Sequence, residues 1–445
     1  MFDYIKKIKN WNKNYIIELF IEEYKSSRIR IRGKNIEDIS KSDGVGGHIR
    51  VTNKNGGYGF ISFNDFRDIG YYIQSAIDIA DVSMTSKRSI TPREAIKFES
   101  VLKVKESYPF EYKAHKIKEI NDRIFRMAGI DTTVISYGEK FKKVYYYNSF
   151  GSEIIQEKND LIASFTPVIR DNGNANVYPF YYGSTGDFSI INKSEETIYR
   201  NIENLLSNND VNLIDEGHYA VLMDQEIAGL FMHEIIGHLV EADQLSDKLH
   251  LNTHIASNII TIEDRPDLKG LRGSYEFDDE GTKSHGTKII TDGILTNFLH
   301  SRDTAYKNNK VSTANARTVG YRFKPIVRMS NLFIKKGLSS FNDILQGIDN
   351  GIYVVGSRGA STNLDKFILR PREAYLIKNG TIRNRLCNIY LTGDLETFNK
   401  IEKLSCEEYI NQGVSCSKQD QRNLPISISS PHIFISSCFV GRSIY

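Results

Sequence analysis

Apolar and polar positions alternate along the chain in stretches of different period. Residues 48–52 (His-Ile-Arg-Val-Thr) and 58–63 (Tyr-Gly-Phe-Ile-Ser-Phe) read as strands, and Asn53-Lys54-Asn55-Gly56-Gly57 between them supplies the glycine a hairpin turn needs. Ahead of them, Leu19, Phe20, Ile21 and Tyr24 predict a helical stretch. Behind them, Asn64 or Asp65 is placed to cap a helix running through Tyr71 and Tyr72 towards Ile79. Runs at 143–147 and 161–165 predict a meander of antiparallel strands, closed by a helix over 195–206 that ends at Ser207-Asn208-Asn209-Asp210. From Gly217 onward strands dominate, at 219–223, 287–290, 326–329, 352–355 and 374–377.

This pattern predicts an α+β fold in two parts. A mixed α/β region spans 1–212, with a sub-boundary near 95–110 in the charged link from Ser86-Lys87-Arg88 to Lys103-Val104-Lys105. A β-rich region with an antiparallel or barrel-like sheet spans 213–445. The cluster Gly44-Val45-Gly46-Gly47 lacks the later glycine of a phosphate-cradling loop and leads into a strand, so it reads as a close approach of backbones.

Composition narrows the class without naming a function. The 445 residues are 40% hydrophobic and 25% charged, and 58 basic against 55 acidic side chains leave a net charge of +3. So balanced a chain carries no nucleic-acid or anionic-membrane footprint. No run of eighteen apolar residues predicts a membrane span, and the first residues lack the apolar stretch of a secretory signal, so a cytoplasmic protein is expected. Four cysteines, Cys387, Cys406, Cys416 and Cys438, crowd the last part of the chain and are too few for a disulfide scaffold.

The chemistry concentrates in Phe231-Met232-His233-Glu234-Ile235-Ile236-Gly237-His238-Leu239-Val240-Glu241, with Asp224 as expected N-cap and Glu226 in the first turn. Two imidazoles are good zinc donors, and a carboxylate beside them can take a proton from water. The histidines are five apart, about 140° around a regular helix, so they meet only if the helix unwinds or ends between them. Gly237 makes that feasible. The same segment also reads as an amphipathic core helix with two satisfied histidines. For a third donor, Cys416 on a tight loop between strands is well placed, whereas Cys387, Cys406 and Cys438 lie among apolar neighbours or on an expected helix. His254, His285, His300, His432, Glu241 and Asp243 stay open on spacing alone.

The segment from Gly217 to Asp224, followed by His233 through Asp243, resembles the signature of the TldD/PmbA metallopeptidases. The resemblance continues in order through 273–281, 292–295, 299–305, 315–317, 328–331, 351–355 and 372–377, and more loosely through 44–50 and 57–64. It implies a zinc-dependent peptidase with one Zn2+ per chain, His233, His238 and Cys416 as metal ligands, and Glu234 as catalytic base. It also implies an α/β N-terminal and a β-rich C-terminal domain, and a dimer of two copies or with a catalytically silent paralogue. The chain departs from the family's usual glycines at Ser417, Asp420 and Ala314. On this reading the substrate is an unfolded or small peptide bound extended along a sheet edge, with His300, Arg302 and Arg317 as candidate substrate or oxyanion contacts. Each of those three reads equally as a structural hydrogen-bond or ion-pair partner. The alternative from another class is a non-catalytic, peptide-binding partner.

Overall fold

Eight strands form the first sheet: β1 (Tyr15–Arg32), β2 (Asn35–Asn53), β3 (Tyr58–Phe63), β4 (Lys97–Ser100), β5 (Thr132–Asn148), β6 (Glu153–Asp171), β7 (Asn174–Val177) and β8 (Phe180–Ser184). They belong to a computed structural model that describes residues 14–83, 94–101, 108–171, 174–207, 211–245, 249–363 and 366–442. The order is β3-β2-β1-β5-β6-β4, antiparallel except where β4 meets β6, and β7 and β8 also pair with β6. Gly33, at φ 55°, makes the tight turn between β1 and β2. Three helices follow strands of this sheet: α1 (Ile69–Val82), α2 (Phe110–Phe125) and α3 (Ser189–Ser207).

Residues 19–24 lie in β1, not in a helix. The reason is burial on both faces. Ile17, Leu19 and Ile21 pack with Ile73 and Ala76 of α1, while Phe20 on the opposite face packs with Tyr321 from the C-terminal half. A strand covered on both sides loses its period-two alternation and can be mistaken for helix. The 48–63 hairpin and the β5–β6 pairing form as expected, and the helix expected over 195–206 forms but begins earlier, at Ser189. Asp68, not Asn64 or Asp65, caps α1 by accepting from the Tyr71 amide. In the glycine cluster, a Cβ at Gly46 would overlap the Tyr321 ring and one at Gly47 would crowd the Phe20 carbonyl, so this is a close approach. Both ends of the charged link, the first thirteen residues and Asn208 to Asp210 lie outside the described residues.

The second sheet begins with β9 (Val211–Asn212) and β10 (Gly217–Met223), after which α4 (Gln225–Met232) leads into the histidine motif. Then come β11 (Ile262–Asp264), β12 (Thr287–Thr291), β13 (Ile294–Leu295), α5 (Arg302–Lys307), β14 (Ala316–Arg317), β15 (Ile326–Val327), β16 (Asn331–Ile334) and α6 (Phe341–Gln346). The chain finishes with β17 (Asn350–Asn363), β18 (Lys366–Lys378), β19 (Thr381–Leu386), β20 (Ile389–Gly393), β21 (Ile401–Asn411), β22 (Ser415–Lys418), β23 (Gln421–Pro425) and β24 (Ser427–Arg442). β24 pairs with β10, β10 with β17, β17 with β18, β18 with β20, and β20 returns to β24. That circuit closes a ring, the barrel-like feature of an α+β fold. The apolar face of α4 packs into its core, with Phe231 edge-on to Phe367 at 5.0 Å and Ile227 in the cluster of Val354 and Ile433.

The two halves meet through a buried ionic cluster. Arg50 bridges Glu18 (2.5 Å) and Glu280 (2.6 Å), and Arg302 contacts the same two carboxylates. Burial alone would raise the Glu18 carboxyl, but Arg302 and Arg50 outweigh it and hold it at about 2.

Candidate metal centre

The motif helix is fixed at its start. Asp224 accepts from the Ile227 amide at 2.9 Å and from Gly356 N at 3.0 Å, and Glu226 pairs with Arg372 at 3.1 Å while accepting from Ser357 N. With both residues tied to β17 and β18, α4 leaves β10 in a single direction.

After Met232 the helix neither breaks nor stays regular. It widens into a π turn over His233–Gly237. Bonding at i+5 puts residues five apart on one side, and this is how the unusual spacing is accommodated. The imidazole centroids lie 4.8 Å apart at 72°. Gly237 is required by packing, since a Cβ there would overlap Met329 Sδ. Cys416 comes from the opposite direction, on β22 of a short hairpin with β23 and so on a strand rather than a loop. Its Sγ stands 3.7 Å from His238 Nε2. Donor atoms of His233, His238 and Cys416 all fall within 4.8 Å of one another, the only such histidine, cysteine and carboxylate group among the described residues.

These residues suit a soft divalent cation. His233 is 3% exposed, and its Nδ1 is buried with no hydrogen-bond partner among the described residues. Burial would push the Cys416 thiol up, but His233 and then His238 hold it well below its ordinary range. Burial would lower His238, yet Cys416 and Glu241 carry it up to about 11. Nitrogen, nitrogen and thiolate sulfur, in surroundings that favour positive charge, form a zinc-type donor set of three.

A second ring of contacts orients the first. His238 Nδ1 lies 3.1 Å from Glu241 Oε2, so donation there leaves Nε2 facing Cys416. Glu241 is fully buried and also accepts from Met329 N at 3.2 Å and from Lys418 Nζ at 2.9 Å. Lys418 reaches on to Asp243 at 2.6 Å and to the Val327 carbonyl. Glu241 and Asp243 therefore stand behind His238 rather than in the converging group. Sequence reasoning missed Lys418, although its position two residues after Cys416 on one strand puts both side chains on the same face.

The remaining candidates are dispersed. His300 bonds Thr304 at 3.2 Å, His432 bonds Ser405 at 3.2 Å, and His254 and His285 lie outside the group. Arg302 is held in the ionic cluster between the halves. Arg317 lies closer to the centre, donating to the carbonyls of Met329 and of Pro425 (2.7 Å) with its guanidinium over Tyr275. Glu234 is half-buried, with no polar partner for its side chain among the described residues. Of the other cysteines, Cys438 is buried and its thiol is pushed up to about 12 by that burial, while Cys406 lies on β21 and Cys387 follows β19; none is helical. A cavity of about 750 Å³ between the halves is lined by Arg317, Tyr275, Lys158 and Leu424, but by none of the three converging residues. The convergence of donor atoms, rather than cavity size, marks the site.

Residues 216–442 match the family described as PmbA/TldA metallopeptidase C-terminal domain, and residues 17–80 match its domain 1. A metalloprotease of Methanocaldococcus jannaschii is 32% identical over 423 residues, covering 90% of this chain and 91% of the relative. A zinc metalloprotease TldD homolog of Saccharolobus solfataricus is 31% identical, covering 68% and 70%. Among solved structures, TldE from Thermococcus kodakarensis superimposes with a TM-score of 0.76 at 17% identity, covering 99% of this chain and 98% of that one, which establishes the shared fold. Among the described residues no helix is long and apolar enough to cross a membrane. A nearly full-length match above 30% identity, together with family matches at both ends, places this chain in the TldD/PmbA family of metallopeptidases.

Proposed function

We propose that this protein hydrolyses peptide bonds with one zinc ion per chain, held by His233, His238 and Cys416, and with Glu234 as general base. The observation that carries the reading is the meeting of those three donors within 4.8 Å although they lie up to 183 positions apart in sequence, Cys416 less His233. When bound, zinc supplies a Lewis acid that polarises the scissile carbonyl and acidifies water. Glu234 then takes the proton of the attacking water and delivers it to the amine nitrogen as the C–N bond breaks. That its side chain has no other polar partner among the described residues favours that role. Arg317, beside Met329, is a candidate donor to the developing oxyanion, and His300 and Arg302 are candidate substrate contacts.

The substrate is an unfolded or small peptide, bound extended so that backbone hydrogen bonds count for more than side chains. The protein works in the cytoplasm as a dimer of two copies or with a catalytically silent paralogue, as the family resemblance implies. The division at 212/213 belongs to the same proposal. Elemental analysis of the purified protein is expected to give about one zinc per chain. A metal-free preparation that still cleaved an unstructured peptide would overturn the reading.

A positioning role follows for Lys418. In Lys418→Met, Glu241 loses the cation that holds it against His238, and zinc affinity is expected to fall about 10- to 100-fold in chelator competition. The unfolding midpoint also falls, because two carboxylates lose their buried partner. A less stable variant with wild-type zinc affinity would show that Lys418 only supports the fold.

A further inference from the structure

A second cavity, of about 560 Å³, opens where the last turn of α3 meets β17 and β19, and none of its lining residues belongs to the metal centre. Its distinctive feature is a pair of arginines without acids. Arg358 and Arg385 place their guanidinium carbons 5.7 and 5.4 Å from the centroid of the buried Tyr178 ring. Among the described residues each donates one hydrogen bond, to a backbone carbonyl: Arg358 Nε to Pro371 at 3.2 Å and Arg385 Nη1 to Leu205 at 2.9 Å. Neither has a carboxylate within ion-pair distance there. Of the other charges of the lining, Arg372 pairs with Glu226 and Arg170 with Asp131, while Glu373, the one acid of the lining, accepts from the Tyr375 hydroxyl. Arg358 is less basic than usual, first through burial and then through repulsion from Arg385 and Arg370. A half-buried guanidinium pair with most of its donors free of protein partners, beside a local excess of positive charge, suits an anion that completes it.

We propose that this cavity is a binding site for a small oligoanion bearing phosphate or carboxylate groups. The guanidinium forks of Arg358 and Arg385 grip the anionic groups, and Tyr178 holds the two forks in place. The volume lies within the range of about 300–1,000 Å³ usual for small-molecule sites.

The probes are pyrophosphate and citrate, which separate the two anion chemistries. Thermal unfolding is followed with each probe at constant ionic strength, in the wild-type protein and in Cys416→Ser, where chelation at the metal centre cannot contribute. At saturation the unfolding midpoint is expected to rise by a few degrees in both proteins with at least one probe, and the probe that acts identifies the chemistry. The rise is expected to vanish in Arg358→Gln/Arg385→Gln. If that variant does not fold, Arg358→Lys, which keeps the charge but loses the fork, is expected to bind about ten-fold more weakly. Three results would overturn the proposal: a rise matched by sodium chloride or absent with both probes, a rise that survives undiminished in the folded arginine variants, or one that disappears in Cys416→Ser alone.

Discussion

Glu234→Gln is expected to cut peptide hydrolysis by about 10²- to 10⁴-fold while leaving bound zinc at the wild-type level. Glutamine matches glutamate in size and half-buried position, so the π turn and both histidines keep their places. What it cannot do is accept a proton from water and pass it to the departing amine. The loss should appear in kcat, with KM little changed, because the carboxylate is proposed to act on the reacting water and not in holding peptide. Cleavage of an unstructured fluorogenic peptide, with metal measured on the same sample, is the assay. Wild-type turnover in the glutamine variant would remove Glu234 from the mechanism.

Replacing a metal donor should be more severe. In Cys416→Ser a thiolate held well below its ordinary pKa gives way to a hydroxyl that stays neutral and is a poor zinc ligand. Purified Cys416→Ser is expected to hold far less than one zinc per chain and to show no measurable hydrolysis, and His233→Ala should behave alike. Cys416 is 1% exposed and serine is smaller, so the backbone of the β22–β23 hairpin need not move. Circular dichroism of variant and wild type should therefore agree, separating loss of metal from loss of fold. A serine variant that purified with full zinc content would move the third ligand elsewhere.

Much of this was legible in the sequence, for identifiable reasons. The 48–63 hairpin announced itself by the glycines of its turn and by the polar residues alternating with Ile49 and Val51, although His48 and Arg50 prove to be buried as well. Asp224 and Glu226 announced the start of the motif helix by their position before an apolar run. β1 was misread because Phe20 and Leu19 are buried against different partners on its two faces. The histidine spacing showed that a regular helix would fail and that Gly237 was the pliable point, but not that a π turn was the solution, nor that Met329 fills the space beside the glycine. Cys416 was singled out by its surroundings and by resemblance. Lys418 went unnoticed because its partners Glu241 and Asp243 are 177 and 175 positions away (418 less 241 and 243), and its place two residues after Cys416 tells the face but not the partners. The setting of Arg302, paired with a glutamate of the first strand, was hidden for the same reason.

The π turn also bears on how this site can change by heredity. Loss of the single codon for Ile236 would leave His-Glu-Ile-Gly-His, the four-residue spacing of a regular zinc helix. A π turn accommodates one extra residue, so its loss would let the turn close to a regular α turn with the two histidines still on one side. Lys418 and the Met329 amide hold Glu241 from outside the helix, so the support behind the second histidine need not move. The two spacings are thus a single codon apart, and a lineage carrying the longer one can reach the shorter in one step.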